Sequence, residues 1–155
     1  MRLNFLCPQH LSALEDDPLA ARELWLSSDD RLDAIPPDPT PHRVSVAGSA
    51  LEAAHIYLRA HPTSDSKLIK RYTNSALTLI ELLVALGQTR LGIMVVAISN
   101  AMVEELAHKG ADSEAVLAAC RRITLDGMAR LRTSTPSLAG RVIAPRGGQE
   151  VLAMR

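Results

Sequence analysis

The stretch "SKLIKRYTNSALTLIELLVALGQTRLGIMVVAISNAMVEELAHKG", residues 66–110, decides the fold. Its first half carries Leu68, Ile69, Tyr72, Ala76, Leu79, Ile80, Leu83 and Leu86 at helical steps of three and four. From Ala76 to Leu86 only Thr78 and Glu81 interrupt the apolar run. A helix of that kind is buried on more than one side and belongs at the centre of its domain. Gly87 ends it, and Thr89 can cap the next helix, which runs to His108 or Lys109 and stops at Gly110. Leu91, Met94, Val95, Ile98, Met102 and Leu106 are the core stripe expected for that second helix. A link as short as Gly87-Gln88 forces the two helices antiparallel.

Outward from this hairpin the same grammar repeats. Asp112 or Ser113 starts a further helix to about Arg132, with Val116, Leu117, Cys120, Ile123, Met128 and Leu131 facing inward. Pro136, Gly140, Pro145, Gly147 and Gly148 predict an irregular tail over 133–155. In the other direction, Ser64, Asp65 or Ser66 caps the central helix, and His61-Pro62 ends a helix over about 45–60. Ala47, Ala50, Leu51, Ala54 and Leu58 form its stripe, and Gly48, Ala50, Ala53 and Ala54 make it thin enough for close approach. Pro36, Pro37, Pro39 and Pro41 predict a stiff, extended linker over 36–41. Before it, Asp17-Pro18 starts a helix to about Ala34 through Leu19, Leu24, Trp25 and Leu32, preceded by a short helical turn.

Period-two alternation reaches no further than "RVSV", Arg43–Val46. The class is therefore all-α: an antiparallel bundle of about five helices in one domain, residues 1–132. Paired helices invite the tetratricopeptide pattern. Registering Tyr57 or Gly48 on it leaves its small and aromatic positions unmatched, and the helices exceed a unit of about 34 residues.

Composition excludes several function classes. Seventeen basic and seventeen acidic residues cancel, so no global field draws the chain to nucleic acid or an anionic membrane. Phe5, Trp25, Tyr57 and Tyr72 are the only aromatic residues, few for a protein that stacks bases or flat cofactors. Cys7 and Cys120 lie too far apart in sequence for a metal knuckle or redox pair. Cys7 follows too short an apolar segment for a lipoprotein signal, and no run reaches about 18 consecutive apolar residues. These features predict reduced thiols, a cytoplasmic location and no membrane insertion.

The most specific chemical pattern is a repeated Glu-x-x-His: Glu52 with His55, and Glu105 with His108. In di-iron bundles two helices each supply this pair and two others each supply a glutamate, positions that Glu23 and Glu81 could fill. Iron, manganese or zinc would be the cofactor. Counting residues along the hairpins sets Glu52 level with about Asn74, and Glu105 level with about Lys70. The two pairs are then within roughly a turn of each other, but Glu81 lies ~16 Å from Glu105 along the axis. Lys67, Lys70 and Arg71 occupy the height where a carboxylate is needed. Solvated Glu and His at helix borders is the competing expectation, with His55 partly buried.

Glu81 is the candidate buried carboxylate, since it interrupts the apolar run: it could serve as a general base or ligand, pair with Arg90 or an arginine of the last helix, or point to solvent through a gap in the bundle. Lys67, Lys70 and Arg71 form a candidate patch for an anionic ligand or partner, and Arg121, Arg122, Arg130 and Arg132 a second basic group. Cys7 and His10 have ligand spacing but lack companions, so burial of Cys7 is expected. No nucleophile elbow or phosphate-binding glycine loop is present. The function expected on balance is a non-enzymatic helical interaction or adaptor module whose partner is protein, with a homodimer as one form. A metal-binding bundle and a regulator docking an anion on the basic face are the alternatives.

Overall fold

Proline opens each of the first three helices, where its missing N–H costs nothing and its fixed φ suits the first turn. α1 spans Pro8–Asp16, α2 Pro18–Ala34 and α3 Pro41–Ala60 in the computed structural model, which describes residues 3–133. Asp17 both ends α1 and caps α2, its Oδ1 accepting the N–H groups of Leu19 and Ala20. Thr40 caps α3 through its hydroxyl, which accepts the Arg43 N–H. Helix α3 therefore starts before the expected Ser45. Pro41 belongs to the helix rather than the linker: proline breaks a helix interior, but after Thr40 it opens the first turn. "RVSV" is helical for the same reason. The linker left between Ile35 and Thr40 is tied down by Arg43, whose guanidinium donates to the carbonyls of Ile35 and Pro36.

α4 (Ser66–Ala85), α5 (Thr89–His108) and α6 (Ser113–Thr133) follow, giving six helices and no strand among the described residues. The nine-residue α1 replaces the expected short turn. Gly87 and Gly110 adopt φ of 73° and 91°, the left-handed conformation that glycine enters without a Cβ penalty. The chain reverses at both, so α4, α5 and α6 alternate in direction, and α4 and α6 run parallel.

α4 packs against α3, α5 and α6, while α2 lies mainly on α3. Tyr72, Ala76, Leu79, Ile80 and Leu83 of α4 are fully buried at the middle of one continuous apolar cluster. Its central position thus follows the expectation. α5 and α6 are rotated relative to theirs. Gly92, Val96, Ser99 and Val103 join the buried side of α5, and Ala119 and Gly127 that of α6, whereas Leu91, Leu117 and Met128 are exposed. Small residues win the contact because they let helices approach: a Cβ on Gly127 would lie 3.0 Å from a Val96 methyl, and one on Gly92 2.9 Å from a Leu131 methyl. α5 is long and apolar enough to cross a membrane by length and composition alone. The expected tail lies, from residue 134 on, outside the described residues.

Candidate functional site

The two Glu-x-x-His pairs sit in opposite surroundings. On α3, Glu52 is buried, and its Oε2 accepts the N–H of Phe5 at 2.9 Å and that of Leu6 at 2.6 Å. The extended chain before α1 crosses α3 at this point because Gly48, one turn earlier, leaves room for the Phe5 ring. A Cβ on Gly48 would fall 2.2–2.4 Å from three ring carbons. Leu3, also buried, anchors the start of this strap. The expectation of a solvated Glu52 is thus overturned by a segment 46 to 47 residues away in sequence.

His55 is buried one turn further along α3, its Nε2 2.8 Å from the Tyr72 hydroxyl on α4. The Tyr72 hydroxyl also reaches the Ser99 carbonyl on α5 at 3.5 Å, so one polar chain links three helices. Burial drives the imidazole down to about 4; Arg59 adds to the shift and Glu105 opposes it. His55 is therefore neutral at pH 7. Burial likewise pushes the Tyr72 phenol above its usual value. Such a pair is a structural tie, with neither group poised to exchange protons near neutrality.

Glu105 and His108 lie near the end of α5. Glu105 pairs with Arg59 of α3 at 3.2 Å and with Lys109 at 2.7 Å. The Lys109 bond holds the Glu105 carboxyl below the ordinary range against its partial burial, and Arg59 assists. His108 is exposed, its Nδ1 2.7 Å from the Glu104 carbonyl. Glu23 is exposed on α2. Glu52, His55, Glu105 and His108 therefore each answer to a different partner. Among the described residues, no three His, Cys, Asp or Glu side chains converge to hold a metal ion.

Glu81 is not buried: 68% of its side chain is exposed, and Arg130 of α6 lies 3.5 Å away. α4 is covered on the sides facing α3, α5 and α6, and Glu81 points out of the side left open. It sits on the rim of a cleft of about 690 Å³ that also takes in Asp29, Asp30, Asp33, Arg43, Arg71 and Ser75. Within this cleft Asp29 receives Arg71 Nε at 3.0 Å and the Ser75 hydroxyl, and Ser75 in turn accepts the indole N–H of buried Trp25 at 3.0 Å. Burial raises the Asp29 carboxyl even though Arg71 and Ser75 pull it down. Arg71 also reaches Asp30 at 3.0 Å and the Leu26 carbonyl, which fastens α2 to α4. Sequence reasoning missed this network; the Asp29-Asp30 pair one turn after Trp25 was its only visible sign.

The candidate anion patch is split accordingly. Arg71 turns toward α2 and is neutralised. Lys67 and Lys70 turn the other way, onto a groove between α4 and α6 that Arg122 borders. Cys7, expected to be buried, is exposed, with its Sγ 3.1 Å from His10 Nδ1.

Fold and sites together define an all-α bundle whose buried polar groups tie helix to helix. The chain matches no protein-family model, no curated protein and no solved structure.

Proposed function

We propose that the protein is a helical interaction module that self-associates through the outer face of the α5–α6 hairpin. The observation that carries this reading is the exposure of Leu117 at 61% and Leu125 at 65%, with Met128 between their directions on one arc of α6. The hairpin register, set by the Asn100–Thr124 bond and the Val96–Gly127 and Gly92–Leu131 approaches, brings Ile93 of α5 level with about Arg130 and Ala97 with about Asp126, either side of Met128. Ile93 is half exposed, so the apolar strip continues from one helix to the next. Isolated surface leucines are ordinary. This arc also carries Arg121, one turn from each of Leu117 and Leu125, and Arg132. A face that mixes exposed apolar side chains with cations suits a protein partner. A two-fold axis along it would let each copy cover the other's leucines.

Light scattering on the full chain tests this. A dimer is expected, converted to monomer by Leu117→Glu with Leu125→Glu without loss of helix content, since both sites are exposed. A wild-type monomer, or a dimer indifferent to the double variant, overturns it.

A further inference from the structure

We propose that the groove between α4 and α6 binds a phosphorylated ligand, held by Lys67, Lys70 and Arg122. The inference is independent of self-association. The groove encloses about 420 Å³, within the range of about 300–1,000 Å³ of small-molecule sites.

Lys67 and Lys70 are three residues apart on α4, so their side chains emerge as neighbours on one face. Both line the groove, and neither forms an ion pair among the described residues. Arg71, the next cation along, is by contrast fully engaged by Asp29 and Asp30. Arg122 faces the lysines from α6. Its Nη1 bonds Asn74 at 3.1 Å across the two helices, and its Nε lies a loose 3.8 Å from Asp126. The guanidinium is thereby positioned over the groove, with its side chain 42% exposed.

Because α4 and α6 run parallel, both helix N-termini open at the same end of the groove. Each is already capped by an aspartate, Asp65 on α4 and Asp112 on α6, so the lysines and Arg122 rather than the helix ends supply the positive charge. Asp112 and Glu114 also line it. Asp112 is occupied in capping α6, its Oδ1 accepting the N–H of Glu114 and of Ala115. Glu114 is exposed and marks the groove's acidic end. Between the cations, Ala115, Ala118, Ala119 and Thr73 form a shallow floor, mostly apolar. The Thr73 hydroxyl is already committed to the Ile69 carbonyl.

This arrangement selects chemistry. Two lysines three residues apart meet a compact dianion, and a phosphate monoester carries about −1.5 to −2 at neutral pH. The alanine floor takes a small apolar body attached to it. The total charge is too near zero for a nucleic-acid backbone. A free phosphate ester and a phospholipid headgroup share the recognised group.

The test titrates the ¹⁵N-labelled full chain with pyrophosphate and with phenyl phosphate, against chloride at matched ionic strength. Saturable shifts confined to residues 66–74 and 112–122 are expected. Lys67→Glu with Lys70→Glu should weaken binding at least tenfold while the thermal midpoint is unchanged. Flotation with phosphatidylcholine vesicles, with and without phosphatidic acid, separates the sources. Capture that requires phosphatidic acid and is lost in the variant assigns a lipid headgroup; soluble binding without capture assigns a free phosphate ester. No saturable shift combined with no capture, shifts spread over every basic surface, or a variant that binds as wild type overturns the proposal.

Discussion

Glu52–His55 and Glu105–His108 share a spacing, yet one pair is interior structure and the other is surface. The first lies in the middle of α3, where Gly48 and the alanines leave room for the Phe5 strap on one side and for α4 on another. The second lies in the last turn of α5, where His108 is exposed and Glu105, only partly covered, meets lysine and arginine. Spacing decides which face of a helix two side chains share. What that face meets is decided by the size of the neighbours and by distant segments of chain.

The largest effect that should separate the two pairs is the acid response of His55. Its folded value of about 4 lies below the 6.5 of the free side chain, so the unfolded chain binds the extra proton first as pH falls. The stability associated with neutral His55 is present above 6.5 and is lost progressively toward 4. A loss of about 3 kcal/mol is expected from this group. Urea unfolding across that range should show the slope in wild type and a shallower one in His55→Gln. Equal slopes would break the comparison.

Next in size is Glu52→Ala, which strips the acceptor from two N–H groups of the strap. A loss of about 2 kcal/mol is expected, with faster hydrogen exchange at Phe5 and Leu6. Glu105→Ala removes partly exposed ion pairs and should cost at most about 1 kcal/mol. Similar losses at the two glutamates would erase the distinction.

Gly48→Ala sharpens it further. Alanine improves helix propensity by up to about 1 kcal/mol but must push the base of the Phe5 ring aside at a cost of about 1–3 kcal/mol, so a net loss of up to about 2 kcal/mol is expected. The signature is local: accelerated exchange in the strap with the α4 core unchanged. An unaltered strap would show that Gly48 is not what admits Phe5.

Particular residues show how far the sequence could be read. Gly87, Gly110, Asp17 and Asp112 act at the expected turns and caps, because each rests on local backbone chemistry. The run from Ala76 to Leu86 announced the central helix for a similar reason. The inward faces of α5 and α6 were harder. Ranking positions by hydrophobicity favoured Leu91, Leu117 and Met128, whereas helix approach selected Gly92, Ser99, Ala119 and Gly127. An apolar run does not say which side of a helix stays open, so it leaves Glu81 undecided between burial and the exposed pairing with Arg130 that the structure shows. The Lys67–Lys70 pair was visible, but not that Arg122, rather than Arg71, completes it. That exchange depends on how α6 lies on α4.

The tie from Trp25 to Ser75 has a practical consequence. The chain contains a single tryptophan, fully buried, whose indole N–H ends on a hydroxyl of another helix. Its fluorescence therefore reports the docking of α2 against α3 and α4, and a red-shifted emission should appear when that packing opens. Far-ultraviolet dichroism follows all six helices at once. Recorded together during unfolding, the two signals tell whether the N-terminal half leaves the hairpin core early or the whole bundle yields in one step.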